Sequence, residues 1–387
     1  MLNKNTILFF TESFRTDFSE AVREELSSDP SVVSVIIERR EIRSATIGEI
    51  VDKIFPEDGK VRRFLYNARE EKATILRTEK KDKKPVVYDN KNHFQRRVLN
   101  VLNRYNPSVV VITAHTIIDD VIAATEHYGK GVKIAVFAED YVLDRRLVHP
   151  AVDKYFVDNF SMRNELVEIG VAPDKVEISD LPAKKIFFLP GDATEARKKL
   201  ALDPKDTVLV AASREGDERF VKVVKAIVES DLDVNVAVAC GKNATFYNEV
   251  RSLGANAYNE AVNMNAALDA CDVVVARPTN VLIAEALAKK KKVICLYPAT
   301  RAEEENLKYL SLSTVLEAKD EDEVVRKIQA YFADEEEEEV TEEPDRYSAR
   351  NIARKLTTMG STGAPSPAVA PSVEPIEETP PARPIGE

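Results

Sequence analysis

Apolar positions along this chain follow two alternating periods. Short β-branched or aromatic runs stand at 6–10, 32–38, 109–113, 134–137, 155–157 and 176–178, and again at 207–211, 234–239, 272–276 and 293–297. Several are apolar almost throughout, which predicts strands buried on both faces, as in parallel sheets. Between them, apolar residues recur at three- and four-residue spacing over 18–25, 94–105, 117–128, 161–169, 217–229, 245–253, 265–270, 281–290, 303–309 and 320–332. That spacing predicts amphipathic helices. Further helical patterns cover 42–54, ending before Pro56, and 347–356. Strand alternates with helix in both halves, so the expected fold is α/β: two Rossmann-like, doubly wound domains facing a central cleft.

The expected domain plan is 1–183 for the first domain and 184–333 for the second, then an acidic linker at 334–344 and a closing helix at 345–358. The remainder, 359–387, is expected to be disordered. Seven prolines fall between 361 and 387 without apolar periodicity, which reads as either a passive tail or a ligand for a protein partner.

Residues 272–310 condense the pattern into strand, loop, helix, strand, loop, helix. Loops at the carboxyl edge of such a βαβ unit bind ligands, and helix starts there favour phosphate. Glu285 lies one turn into the first of these helices, where a carboxylate can accept two ribose hydroxyls. Its other reading is an ordinary solvated acid.

Composition adds limits. At 387 residues the chain has ample length for two cores, and 44% hydrophobic with 31% charged residues describes a soluble globular protein. No run is long and apolar enough for a membrane span, and the first residues turn polar too soon for a signal peptide. Cys240, Cys271 and Cys295 fit neither a zinc site nor a redox pair, so they are expected to be reduced and packed in a cytoplasmic protein. The net charge of −11 argues against nucleic acid as a partner. The charge is polarised, however: residues 60–104 hold fourteen Lys/Arg against five acids, whereas 334–343 is strongly acidic. Arg62, Arg63, Phe64 and Tyr66 in the basic segment suit either an anionic membrane surface or a solvated face.

Several segments, in order, resemble the GT-B glycosyltransferases that make glycosyldiacylglycerols, the monogalactosyldiacylglycerol synthases and processive diacylglycerol glucosyltransferases. Residues 135–159 are similar to that family's strand, aspartate-aromatic and His-Pro segment, here containing Asp140-Tyr141 and His149-Pro150. Residues 170–188 are similar to its passage into the second domain, and Cys240-Gly241-Lys242-Asn243 to its Cys-Gly-Lys/Arg-Asn. Arg277-Pro278, Glu285-Ala286-Leu287-Ala288 and Glu303-Glu304 with Asn306, Tyr309 and Leu310 are similar to its donor motif. The resemblance spans roughly 6–358.

It implies transfer of a hexose from a UDP-sugar to a lipid or cell-envelope glycan, with inversion at the anomeric carbon. It also implies no metal or other cofactor, the UDP-sugar being a co-substrate, and a peripheral place on the inner membrane face. Glu285 would bind the donor ribose, and Glu303, Glu304 and Asn306 would lie by the donor sugar or brace the loop. Arg277 and Pro278 would begin the phosphate loop, residues 240–243, with Gly241 and Asn243, would lie under the base, and Asn280, Ser213 and Arg214 are further donor-binding candidates.

The departures fall on the chemistry. The family's first loop carries glycines and a histidine; here 13–18 has neither, leaving Asp17 as a substitute base or a helix cap. His115, just past a strand, is a second candidate for proton transfer or a packing residue. Thr279-Asn280 stand for the family's Gly-Gly, Leu282 for a threonine, and Arg301-Ala302 for Gly-Gln. Side chains at 279 and 280 are expected to crowd a phosphate that glycine would let approach. Two other readings therefore stay open: a catalytically degenerate scaffold used for binding or regulation, and sugar-nucleotide epimerisation on the same fold.

Overall fold

The computed structural model describes residues 5–12, 16–42, 86–212, 214–259, 262–312, 315–333 and 344–363. The expectations placed on 43–54, on Arg62, Arg63, Phe64 and Tyr66, on Ser213, and on most of the acidic linker and tail lie outside the described residues.

The first sheet is built from β1 (Asn5–Thr11), β2 (Val32–Glu38), β3 (Val109–Ile112), β4 (Lys133–Phe137), β5 (Lys154–Val157) and β6 (Val176–Ile178). Its order is β2-β1-β3-β4-β5-β6, all parallel, with Ile7 opposite Val109 and Val109 opposite Lys133. The helices are α1 (Asp17–Leu26), α2 (Arg39–Ile42), α3 (His93–Tyr105), α4 (Ile118–Tyr128) and α5 (Phe160–Glu168).

Strand geometry sorts the apolar runs into two cores. Ile7 and Phe9 face Phe18 and Val22 of α1, whereas Leu8 and Phe10 face Val98 and Leu102 of α3 and Val121 of α4. Both sides are covered, which is why these strands read as continuous apolar runs.

The second sheet repeats the plan with β7 (Thr207–Ala211), β8 (Asn235–Ala239), β9 (Asn256–Tyr258), β10 (Val273–Ala276), β11 (Lys292–Cys295) and β12 (Leu316–Glu317), in the order β12-β11-β10-β7-β8-β9. Its helices are α6 (Ala193–Lys199), α7 (Phe220–Val228), α8 (Ala244–Ser252), α9 (Met264–Ala270), α10 (Asn280–Ala288), α11 (Arg301–Leu310) and α12 (Glu321–Phe332). Leu209 and Val274 pack toward α9 and α10, while Val208, Val210 and Val275 pack toward Phe220, Val224, Val324 and Ile328. One apolar cluster contains members of both domains, so the two sheets share a core rather than merely a linker.

The last described helix, α13 (Ser348–Gly363), returns to the first domain. Ile352, Ala353 and Leu356 are buried in the core containing β1 and α1, and the Asn5 side-chain amide donates to the Thr357 carbonyl at 3.0 Å. Fully burying one leucine is worth about 1.5–3 kcal/mol. This helix runs five residues past the expected end at 358, so 359–363 are helical instead of disordered. Met359 packs on the shared core, and Gly360 lies against the Asn5 side chain, where a Cβ would collide.

Candidate functional site

Each sheet has one place where the strand order reverses. In the first it lies between β1 and β3, in the second between β7 and β10. Connections leave such neighbours over opposite faces and open a crevice at the carboxyl edge. Glu12, Asp17, His115 and Thr116 surround the first crevice; Arg214, Asp217, Arg277 and Thr279 surround the second.

In the second domain the loops are tied by charge. Arg277 donates through Nε to Glu303 at 3.1 Å and through Nη2 to the other Glu303 oxygen, with Asp217 at 3.9 Å. Arg277 and Glu303 side chains are only 15% and 13% exposed. Glu303 also accepts from the Ala299 amide at 2.8 Å. Burial alone would raise the Asp217 carboxyl, but Arg219 outweighs it and holds the pKa below the usual value. Arg219 further donates to the Tyr297 carbonyl at 3.0 Å. Tyr297 needs that hold, because its φ of +55° is left-handed for a bulky residue, a geometry costing about 1–3 kcal/mol.

The crowding expected at 279 and 280 is avoided by a different backbone path. Thr279 is extended (φ −90°, ψ 146°) and Asn280 opens α10, so neither occupies the left-handed region. Left-handed glycine serves elsewhere in these loops. Gly216 has φ +72°, and a Cβ there would meet the Cys240 carbonyl and the Asn243 side chain, so it lets the loop after β7 pack on 240–243. Gly241 is likewise left-handed. Asn243 caps α8 by accepting from the Phe246 amide at 3.0 Å and is buried. Arg214 is exposed, Pro278 is buried, and Glu304 lies exposed on the first turn of α11.

Two of the residues expected at the donor site, Asn280 and Asn306, and Tyr309 of the same segment meet the first domain. The Asn280 side-chain amide donates to the Glu139 carbonyl, and that of Asn306 to the Asp140 carboxylate. Tyr141 donates to the Asn280 carbonyl at 3.4 Å and stacks on Tyr309, with ring centroids 6.3 Å apart. The Asn306 Oδ1 is buried without a hydrogen-bond partner.

Glu285 is half-buried, and its charged neighbours are Asp17 from across the cleft and Lys184 from the connection between the domains. Desolvation, reinforced by the Asp17 carboxylate and opposed by Lys184, pushes its pKa up to about 8. Lys184 pairs with Glu20 at 2.6 Å and Asp17 at 3.6 Å. Burial works against the Lys184 ammonium, but Glu20 and Asp17, with Glu285 beyond them, keep its pKa above the ordinary value. Asp17 is not the cap of α1: Thr16 holds that position, without a side-chain cap bond, and Asp17 faces Lys184.

His115 is not a core residue but half-buried, and its observed partner is Asp144 rather than Asp17. Its Nδ1 lies 3.1 Å from Asp144, whose carboxylate also takes a two-pronged bond from Arg146 at 2.8 and 2.7 Å. Lys184, Asp217, Asp140 and Tyr141 were not singled out as site residues from sequence. Only the last two carried a signal, the aspartate-aromatic pair after a strand.

A cavity of about 890 Å³ lies apart from all of these, between α6 and α9 beside the edge strand β9, and none of the predicted site residues lines it. Among the described residues no group of three or more His, Cys, Asp or Glu converges on a metal-sized site. No helix among them is long and apolar enough to cross a membrane.

Comparison with known proteins agrees with this plan. Residues 63–183 match the family model of monogalactosyldiacylglycerol (MGDG) synthase. The processive diacylglycerol beta-glucosyltransferase of Staphylococcus carnosus (strain TM300) is 27% identical over 220 residues, 55% of this chain and 56% of that protein. The protein of the same name from Bacillus licheniformis is 26% identical over 253 residues, 62% of this chain and 64% of that one. The chain thus spans somewhat over half the length of the curated relatives it matches.

Among solved structures, the UDP-GlcNAc 2-epimerase from Neisseria meningitidis bound to UDP-GlcNAc superposes with a TM-score of 0.59 at 13% identity, covering 91% of this chain and 100% of that one. MurG of Acinetobacter baumannii gives 0.55 at 10% identity, covering 92% and 99%. The fold is GT-B, and the chain resembles the glycosyldiacylglycerol-forming family.

Proposed function

We propose that the chain binds a UDP-sugar in the second domain and transfers the sugar, with inversion, to a diacylglycerol-type acceptor held by the first. The observation that carries this reading is Glu285, a half-buried carboxyl on α10 that faces Asp17 of the opposite bank of the cleft and Lys184 of the connection between the domains. With a pKa near 8 it is largely protonated at neutral pH. It can therefore donate to one ribose hydroxyl while accepting from the other.

Thr279 makes no side-chain cap on α10; the Val281 amide is taken by Asn280 Oδ1 at 2.9 Å, and the helix dipole and the neighbouring amides favour the leaving diphosphate. Transfer is a single displacement. The acceptor oxygen bonds to the anomeric carbon, the bond from that carbon to the phosphate oxygen breaks with its electron pair, and UDP leaves. A base must take the acceptor proton, and no step calls for a metal. A lipid acceptor would bring the first domain to a membrane surface, where the basic segment 60–104 supplies attraction of about 1 kcal/mol per basic residue.

A second reading is favoured by one specific observation. Asn280, Asn306 and Glu303 already spend their polar groups on Glu139, Asp140 and Arg277. A GT-B scaffold retained for binding alone would have no need to release them.

Transfer decides between the two. Full-length protein is incubated with UDP-glucose or UDP-galactose and liposomes containing diacylglycerol, with and without anionic lipid. The proposal expects an inverted glycolipid, at least tenfold less of it with Glu285→Ala. No product from any donor would leave the scaffold reading, and a UDP-sugar epimerised without acceptor would replace transfer with epimerisation.

A further inference from the structure

The crevice between β1 and β3 holds a charged assembly that the donor side of the site does not use. β1 leads into α1, which packs over one face of the first sheet, and β3 leads into α4, which packs over the other. The loops part there, and the Thr116 hydroxyl bridges them by donating to the Glu12 carboxylate. Glu12 is fixed in turn by Arg39, at 3.1 and 3.2 Å. Beside this bridge stands His115, its side chain 23% exposed, with Nδ1 directed at Asp144.

We propose that His115, held by Asp144, removes the proton from the acceptor hydroxyl, and that this crevice seats that hydroxyl. The inference rests on the transfer reading above. An Nδ1–H donated to Asp144 leaves Nε2 as the lone-pair nitrogen, the form a general base requires. Asp144 is 8% exposed and cannot swing, because the Arg146 fork grips both of its oxygens and the Arg146 amide donates to it at 3.0 Å. Arg146 balances its charge and keeps it a hydrogen-bond acceptor. Asp144 is thus a positioning residue acting through the imidazole.

The other candidate, Asp17, is engaged by Lys184 and faces Glu285, on the donor side of the cleft. In the step, the acceptor O–H proton moves to Nε2 while its oxygen bonds to the anomeric carbon. The bond from that carbon to the UDP phosphate breaks toward the phosphate. The imidazolium then returns its proton to water.

The test uses the full chain with UDP-sugar and diacylglycerol liposomes, alongside calorimetry of UDP binding. His115→Ala should lower kcat at least 100-fold, with UDP affinity within twofold of wild type. Asp144→Asn keeps the side-chain size but offers Arg146 one acceptor oxygen instead of two. It should lower kcat about tenfold with KM for the UDP-sugar within twofold of wild type, the split expected of a residue that only orients the base. A His115→Ala enzyme retaining a third of wild-type kcat, or an Asp144→Asn enzyme with wild-type kcat, overturns the assignment of His115 while leaving the transfer reading intact. Wild type that binds UDP yet transfers to no lipid overturns both.

Discussion

Arg277 and Glu303 lie 26 positions apart in the sequence and form one buried pair whose charges have little water to fall back on. Removing one partner strands the other, a loss typically of about 3–5 kcal/mol. Glu303→Ala should therefore cost stability on that scale in urea unfolding, and Arg277→Met added to it should cost less than the sum of the two single changes.

Glu285 yields a prediction with a sign. Its carboxyl titrates near 4.5 in an unfolded chain and near 8 in the folded protein, so the folded state holds the proton more tightly. Below pH 4.5 the group is neutral in both states and costs nothing. As pH rises toward 8 the folded state loses stability relative to the unfolded one, and above 8 the loss levels off. Glu285→Gln does not titrate, so its thermal midpoint should gain on wild type progressively from pH 4.5 to 8 and no further. A constant difference across that range would show that the carboxyl is solvated. Glu285 could be singled out in the sequence because helix position and charge sufficed. The tie of His115 to Asp144 could not, because the partner lies 29 residues away on another loop.

At the level of elements, legibility followed burial. β3 and β10 are apolar throughout and β1 has an apolar centre at 7–10, so they stood out, whereas β9 and β12 are three- and two-residue edge strands with no periodicity to read. The pattern beginning at Asp217 overshot the start of α7, which opens only at Phe220 because Asp217 is turned to Arg219. The returning helix α13 was visible as an amphipathic run, but its length was set by contacts from the other end of the chain, at Asn5. Leu356 is fully buried on β1 and α1, so Leu356→Ala should lower unfolding free energy by about 2–5 kcal/mol. A loss under 1 kcal/mol would mean that α13 is not part of the first domain's core.

For the whole molecule, the two crevices gain meaning only by facing each other. That arrangement was legible through the ordered family-like segments. The contacts that close it were not, because Asn280 to Glu139, Asn306 to Asp140 and Tyr141 to Tyr309 each join residues more than 130 positions apart. Asn280, Asn306 and Tyr309 thus tie the two domains together, and under the proposed donor site a bound UDP-sugar would have to exchange these contacts for its own. Isothermal calorimetry of UDP and UDP-sugars with wild-type protein and Glu285→Ala addresses the donor site directly. Saturable binding to wild type, weakened at least tenfold by Glu285→Ala, is the expected result; no binding to wild type, or equal binding to both, would contradict it.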